Sequence, residues 1–213
     1  MKVGGAALNA NVKIALDHGK VCVVHGAGPQ ISSEMERAGI PVEFVDGRRV
    51  TSPAAMKIVR ASFAAVNAEL CKTLGESAVP LFGDEIGMLA EPVPELGLVG
   101  NALPSRPQAI VDALEAGKIP VVAPLAEGPL NVNADDAAAA LAVGLAAARI
   151  VFITDVDGLM IDGKVVHRIG VDAASDLLTG GTLEGGIIPK LAAAVTAVRG
   201  GVSARIGRTM VTT

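Results

Sequence analysis

Short runs of β-branched residues alternate along this chain with longer alanine-rich runs of helical period. Residues 21–24 read as a buried strand that ends in the turn His25-Gly26-Ala27-Gly28. Pro29 follows where a first helical residue belongs, since its fixed φ suits that position and the N–H it lacks has no partner there. The spacing predicts a helix to about Ala38. Residues 42–45 predict a short strand leading to Asp46-Gly47-Arg48-Arg49-Val50-Thr51. Ser52 then stands ready to cap a long helix with Pro53 in its first turn, ending near Leu74. From 78 to 103, glycines and prolines interrupt short apolar runs, a pattern of antiparallel hairpins that could form a lid.

A helix over 105–116 stopped by Gly117 and a buried strand over 119–124 come next. Asn131-Val132-Asn133-Ala134-Asp135 leads into an alanine-rich helix, and 149–154 form another buried strand that turns at Asp155-Val156-Asp157-Gly158. A hairpin around Asp162-Gly163, helices over 171–178 and 187–198, and strands over 202–206 and 210–212 complete the reading. Such alternation implies an α/β fold with a mostly parallel sheet covered on both faces. A soft boundary near 125–131 would divide a substrate half, 1–125, from a nucleotide half, 126–213, joined by one continuous sheet.

Composition narrows the chemistry. Hydrophobic residues make up 51 % of the 213, so a sizeable core can form, but aromatics are 2 %, with no Trp or Tyr. Base stacking on aromatic platforms is therefore excluded as a main binding mode, and a net charge of −4 argues equally against nucleic-acid binding. The longest apolar run, 137–148, falls short of the roughly 20 residues a bilayer requires, and no signal peptide is evident, so a cytoplasmic protein with no membrane partner is expected. Cys22 and Cys71 are in no metal-type spacing and read as small apolar residues.

Two glycine-rich turns have a lysine close by: Lys2 precedes Gly4-Gly5, and Gly185-Gly186 precedes Lys190. Glycines let backbone N–H groups approach a ligand, and a lysine adds a full positive charge, so the repetition points to a phosphoryl group in transit. Lys190 directly follows Pro189 in a first helical turn, where a cation opposes the helix dipole, a placement that makes sense if an anion binds there. The polar motifs fall at strand ends, where open α/β sheets bind ligands. Asp155 and Asp157, two apart at such an end, could also suggest a metal pair.

Four strings, Val24-His25-Gly26-Ala27-Gly28-Pro29-Gln30-Ile31, Gly47-Arg48-Arg49-Val50-Thr51, Asn131-Val132-Asn133-Ala134-Asp135 and Gly185-Gly186-Ile187-Ile188-Pro189-Lys190, occur in one order nearly from end to end. Together they resemble the N-acetyl-L-glutamate kinases of the amino-acid kinase family. The resemblance implies a three-layer αβα sandwich, ATP as phosphoryl donor with Mg²⁺, N-acetyl-L-glutamate as acceptor, and a homodimer. It implies that Lys2 and Lys190 supply positive charge to the transferring group while Asp135 holds both lysines. Gly26, Ala27, Arg49 and Asn131 would bind the acceptor; Gly4, Gly5, Gly28, Gly185, Gly186 and Asp155 would bind phosphate or nucleotide, which sets the metal-pair reading aside. The residues alone leave Arg48 and Arg49 as rival partners for the acceptor's α-carboxylate; the family pattern selects Arg49, the arginine before Val-Thr. Asn133 is expected to be structural, His25 an anchoring residue, and His18 and His167 surface residues. A carboxylate acceptor is ionised at neutral pH and needs no general base.

Departures from the family pattern set further expectations. Only Met1 precedes Lys2, so that lysine is expected to be loosely fixed. Ala27 stands where the family commonly has glycine, and its methyl group could crowd the phosphoryl path. The stretches after Gly5 and between Ile206 and Thr209 are short, and no N-terminal helix is present, so neither hexamers nor arginine feedback is expected. An acyl-phosphate kinase for an aminoadipyl or carrier-linked glutamyl acceptor is the alternative within the enzyme class, and a ligand-binding relative without turnover is the alternative outside it.

Overall fold

The computed structural model of the chain describes residues 1–3, 19–154 and 157–213. Eight strands form the central sheet: β1 (Lys2–Val3), β2 (Val23–His25), β3 (Ala78–Phe82), β4 (Ile119–Ala123), β5 (Arg149–Ile153), β6 (Arg168–Gly170), β7 (Ser203–Ile206) and β8 (Thr209–Thr212). Their order is β6-β8-β7-β5-β1-β2-β4-β3, and every neighbouring pair is parallel except the hairpin β7–β8.

Helices close both faces. The first, α1 (Gly28–Arg37), and α2 (Pro53–Leu74) pack on one side, where Ile31, Met35, Val59, Phe63 and Leu70 meet Val23, Val121 and Ala123. The opposite side is covered by α3 (Gln108–Glu115), α4 (Ala134–Gly144), α5 (Val171–Thr179) and α6 (Ile187–Arg199), packed on Val24, Val122, Ile150, Phe152 and Ile206. Val23 and Val24 serve opposite cores because successive strand side chains point to opposite faces. The result is the three-layer αβα sandwich around a mostly parallel sheet that the resemblance implies. Alanine dominates the α4–α6 side, and the small side chains let backbones approach closely: a Cβ added at Gly144 would lie 2.1 Å from the Ser105 carbonyl oxygen.

Local signals explain most boundaries. Ser52 Oγ accepts from the Ala55 N–H at 3.2 Å and starts α2, as its position in the sequence predicts. Asp162 and Gly163, at φ 50° and 73°, make the tight hairpin turn between Met160–Ile161 and Lys164–Val165.

Several expectations are corrected. The stretch over 78–103 is not a set of hairpins throughout: Ala78–Phe82 is the parallel edge strand β3, paired along its length with β4, and only Ala90–Pro92 with Val99–Ala102 is an antiparallel pair. That pair belongs to a separate four-stranded sheet with Leu130–Val132 and Leu125–Ala126. Asn131 therefore lies on a strand. The helix expected from 105 starts at Gln108, after Pro107, and β6 lies where no strand was expected.

Candidate active site

The carboxyl ends of the central parallel strands open onto a cleft of about 260 Å³, lined on one side by residues 26–29 and 47–49 and on the other by residues 131–135, with Lys2 between. Lys2 is held in the middle of the sheet, paired with Val24 on β2 and Phe152 on β5. Residues in register on parallel strands share a face, and Val24 and Phe152 belong to the α4 side. The Lys2 side chain accordingly meets the start of α4, its Nζ 2.9 Å from Asp135 Oδ1. Short as it is, this two-residue strand is paired on both sides, and a buried ion pair holds the lysine's side chain, in contrast to the loose hold expected of it.

The second lysine reaches the same carboxylate. Lys190, in the first turns of α6, places Nζ 3.5 Å from Asp135 Oδ2 and donates to the Gly186 carbonyl at 3.1 Å. All three side chains are nearly buried, with exposures of 7 % for Lys2, 6 % for Asp135 and 13 % for Lys190. Oδ1 takes no hydrogen bond of good angle, so its attraction to Lys2 is chiefly coulombic. Burial pulls the Lys2 ammonium below its ordinary pKa of 10.5; Asp135 opposes that shift and the Lys190 charge adds to it. Two ammonium groups on one carboxylate leave a net positive charge at the end of the cleft.

Arg49 lies on the other side of the sheet, in the short hairpin Phe44–Val45/Arg48–Arg49. Arg49 as a residue is 6 % exposed; its guanidinium donates to Gly28 O at 3.1 Å and to Ser32 Oγ at 2.8 Å, and sits 4.5 Å from the centre of the Phe44 ring. No carboxylate among the described residues forms an ion pair with it. A buried, oriented guanidinium without a counter-ion is a ready partner for a bound carboxylate. Asn131 is 8 % exposed and donates from Nδ2 to Thr51 Oγ1 at 3.1 Å, and Thr51 in turn donates to the Arg49 carbonyl at 2.7 Å. Asn131 and Arg49 are thus tied to one another across the cleft floor.

Ala27 lines the cleft, but its φ of −139° is ordinary and its side chain, 1 % exposed, packs into the α1–α2 core. The methyl group therefore does not crowd the cleft as the sequence suggests. Gly26 and Gly28 flank it, and Gly28 begins α1. Gly185 and Gly186 lie exposed before α6. Gly4, Gly5, Asp155 and His18 fall outside the described residues. Asp157 is exposed, with its carbonyl accepting from the Arg208 N–H at 2.7 Å.

The sequence profile of the amino acid kinase family matches residues 1–208. This chain belongs to that family. The acetylglutamate kinase of Rubrobacter xylanophilus is 40 % identical to it over 97 % of this chain and 87 % of that protein. The acetylglutamate kinase of a Nocardioides species is 44 % identical over 86 % of this chain, which spans only 65 % of that relative's length. Among solved structures, the N-acetylglutamate synthase of Neisseria gonorrhoeae, complexed with coenzyme A and N-acetyl-glutamate, superposes with a TM-score of 0.83 at 21 % identity, over all of this chain and 58 % of its own, which shows the shared fold.

In this amino acid kinase, several supporting residues were not read from sequence. Ser32 and Met35, one and two turns into α1, hold the Arg49 guanidinium. Asn67 in α2 donates to the Val121 carbonyl at 2.9 Å and lies 3.2 Å from His25 Nε2. His25 is fully buried, and burial lowers its pKa from 6.5 to about 4, offset in part by the Gly26 backbone. Its Nε2 meets Asn67, while its buried Nδ1 has no hydrogen-bond partner among the described residues; His167 is exposed. Helical spacing from Gly28 is the one signal that could have singled out Ser32.

No helix among the described residues is long and apolar enough to cross a membrane. Nor do those residues gather three or more carboxylate, imidazole or thiol groups that could hold a metal ion, and Asp135 is already shared by two ammonium groups. A Mg²⁺ ion carried on nucleotide phosphates needs no such cluster of side chains.

Proposed function

We propose that this chain is an acetylglutamate kinase: it transfers the γ-phosphoryl group of ATP to the side-chain carboxylate of N-acetyl-L-glutamate, giving N-acetyl-L-glutamyl 5-phosphate, a step of arginine biosynthesis. One observation carries the reading. A single buried carboxylate, Asp135, gathers Lys190 and the cleft-lining Lys2, and the same cleft is lined by Arg49, whose guanidinium has no ion-pair partner among the described residues. The acceptor is a dianion, and that arrangement offers each of its charges a separate destination.

In the reaction an oxygen of the acceptor's side-chain carboxylate bonds to the γ-phosphorus, the bond from that phosphorus to the bridging oxygen breaks, and ADP leaves with the electron pair. No proton moves, so no base is required. The barrier is the approach of one anion to another, and alignment and fixed positive charge lower it. Lys2 and Lys190 supply the charge; Asp135 keeps them in place before substrate arrives. Arg49 takes the α-carboxylate through its planar fork, and Asn131 with Gly26 and Ala27 orients the rest of the acceptor. Gly28, with Gly4, Gly5, Gly185, Gly186 and Asp155, serves the donor. Residues 1–125 then supply most of the acceptor site and the contact of a homodimer, and residues 126–213 the nucleotide site, in the cytoplasm.

The test is acyl-phosphate formation. With ATP, Mg²⁺ and N-acetyl-L-glutamate, hydroxylamine should trap a hydroxamate in step with ADP release. Turnover with an aminoadipyl or carrier-linked acceptor but none with N-acetyl-L-glutamate would overturn the substrate assignment.

A further inference from the structure

Asn133 uses both ends of its amide on different parts of the site. Its Oδ1 accepts from the N–H groups of Asp135 at 2.8 Å and Asp136 at 3.4 Å, capping the helix that carries the lysine-holding carboxylate. Its Nδ2 donates across the cleft to the carbonyl of Gly47 at 3.4 Å. Gly47, at φ 75°, and Asp46, at φ 48°, form the tight turn of the hairpin whose next residues are Arg48 and Arg49. The hairpin contributes Phe44, Gly47, Arg48 and Arg49 to the lining of the cleft. A second link joins the same two elements: the Arg48 charge lies close enough to Asp136 to favour that carboxylate's ionised form.

We infer that Asn133 is a positioning residue that latches the arginine hairpin to the start of α4, so that the carboxylate-binding guanidinium and the lysine pair keep one spacing. Capping the helix requires only the acceptor oxygen; the donor end is free for a second task, and it is spent on the hairpin turn. The latch closes the acceptor site by one hydrogen bond, weak enough to open when acceptor enters or product leaves. This inference rests on the kinase reading for its kinetic consequence, though not for its structural one.

Asn133→Ser separates the two tasks, because serine caps a helix about as well as asparagine but is too short to reach Gly47. Its melting temperature should stay within about 2 °C of the parent. The KM for N-acetyl-L-glutamate should rise about fivefold, within the range a neutral hydrogen bond contributes, while the KM for ATP stays within about twofold. Amide hydrogen exchange in residues 44–49 should quicken by a similar factor, with α4 unchanged. A purely structural role would lower the melting temperature and leave KM alone. Unchanged exchange in the hairpin overturns the latch, and so does faster exchange with an unchanged acceptor KM. If the parent makes no hydroxamate from N-acetyl-L-glutamate, the functional reading falls, and the exchange comparison still decides the latch.

Discussion

Replacing Asp135 by asparagine keeps the shape of the side chain and removes the charge that joins the two lysines. Its oxygens lie 2.9 Å from Lys2 Nζ and 3.5 Å from Lys190 Nζ. In an effective dielectric near 20, each attraction is of the order of 5 kcal/mol before the costs of burying three charges and crowding two cations are set against it. Breaking a buried pair from one side leaves the partner uncompensated, and about 3 kcal/mol is the expected net loss. For a chain of this length that lowers the melting temperature by roughly 6–12 °C. The lysines then lose their alignment, and a comparable loss in the transition state lowers kcat about 100-fold. The nucleotide responds differently: the variant loses the one negative charge that both lysines share, so ADP binding should fall far less than kcat. Thermal unfolding, hydroxamate initial rates and calorimetric ADP titration read the three effects. A variant that melts with the parent and retains kcat within about threefold would refute the idea that one carboxylate organises the site.

Other changes separate the roles of individual residues. Lys190→Ala should cut kcat at least about 100-fold while weakening ATP binding far less, since its charge counts most in the transition state; equal losses in both would assign it to binding alone. Arg49→Ala should raise the acceptor KM about 100-fold with a smaller change in kcat, and an unchanged KM would move the α-carboxylate to Arg48. Stability against pH tests two shifted groups of opposite sign. His25 is lowered by burial from 6.5 to about 4, so the folded chain holds fewer protons than the unfolded one between those values and this contribution grows as pH rises. Asp136 is raised from 3.8 to about 6 by burial and then by the Asp135 charge, so its contribution is full below 3.8 and fades as pH rises through about 6. The two nearly cancel between about 4 and 6 in the parent. Asp136→Asn should expose a rise of about 3 kcal/mol with pH, and His25→Gln a comparable fall, each taken as the difference from the parent; curves parallel to the parent's would rule out the shifts.

Local chemistry wrote much of this protein into its sequence. Alternating β-branched and alanine-rich runs specify an α/β sandwich because a sheet buried on both faces needs apolar residues at consecutive positions and helices need one apolar stripe. Ser52, Pro53, Asp162 and Gly163 mark their boundaries because capping and left-handed turns depend on the residue itself. Family strings pointed to Lys2, Asp135, Lys190, Arg49 and Asn131, and those residues do line or flank one cleft.

Tertiary structure decided what spacing along the chain cannot express. Residues 78–82 read as a hairpin from their neighbours, yet pairing with β4 makes them a parallel edge strand; strand partners are chosen by packing 41 residues away, not by local propensity. The loose hold expected of Lys2 ignored two strands and a helix start that arrive from distant parts of the chain. The crowding expected of Ala27 vanished because its methyl group turns into the core. Asn133, expected from sequence to be merely structural, meets Gly47 only when the fold brings that residue to it across a gap of 86 residues. Residue type fixes which groups can carry charge or cap a helix, but the meeting of one carboxylate with two ammonium ions is a product of chain topology, since contacts between remote segments exist only after the sheet has ordered them.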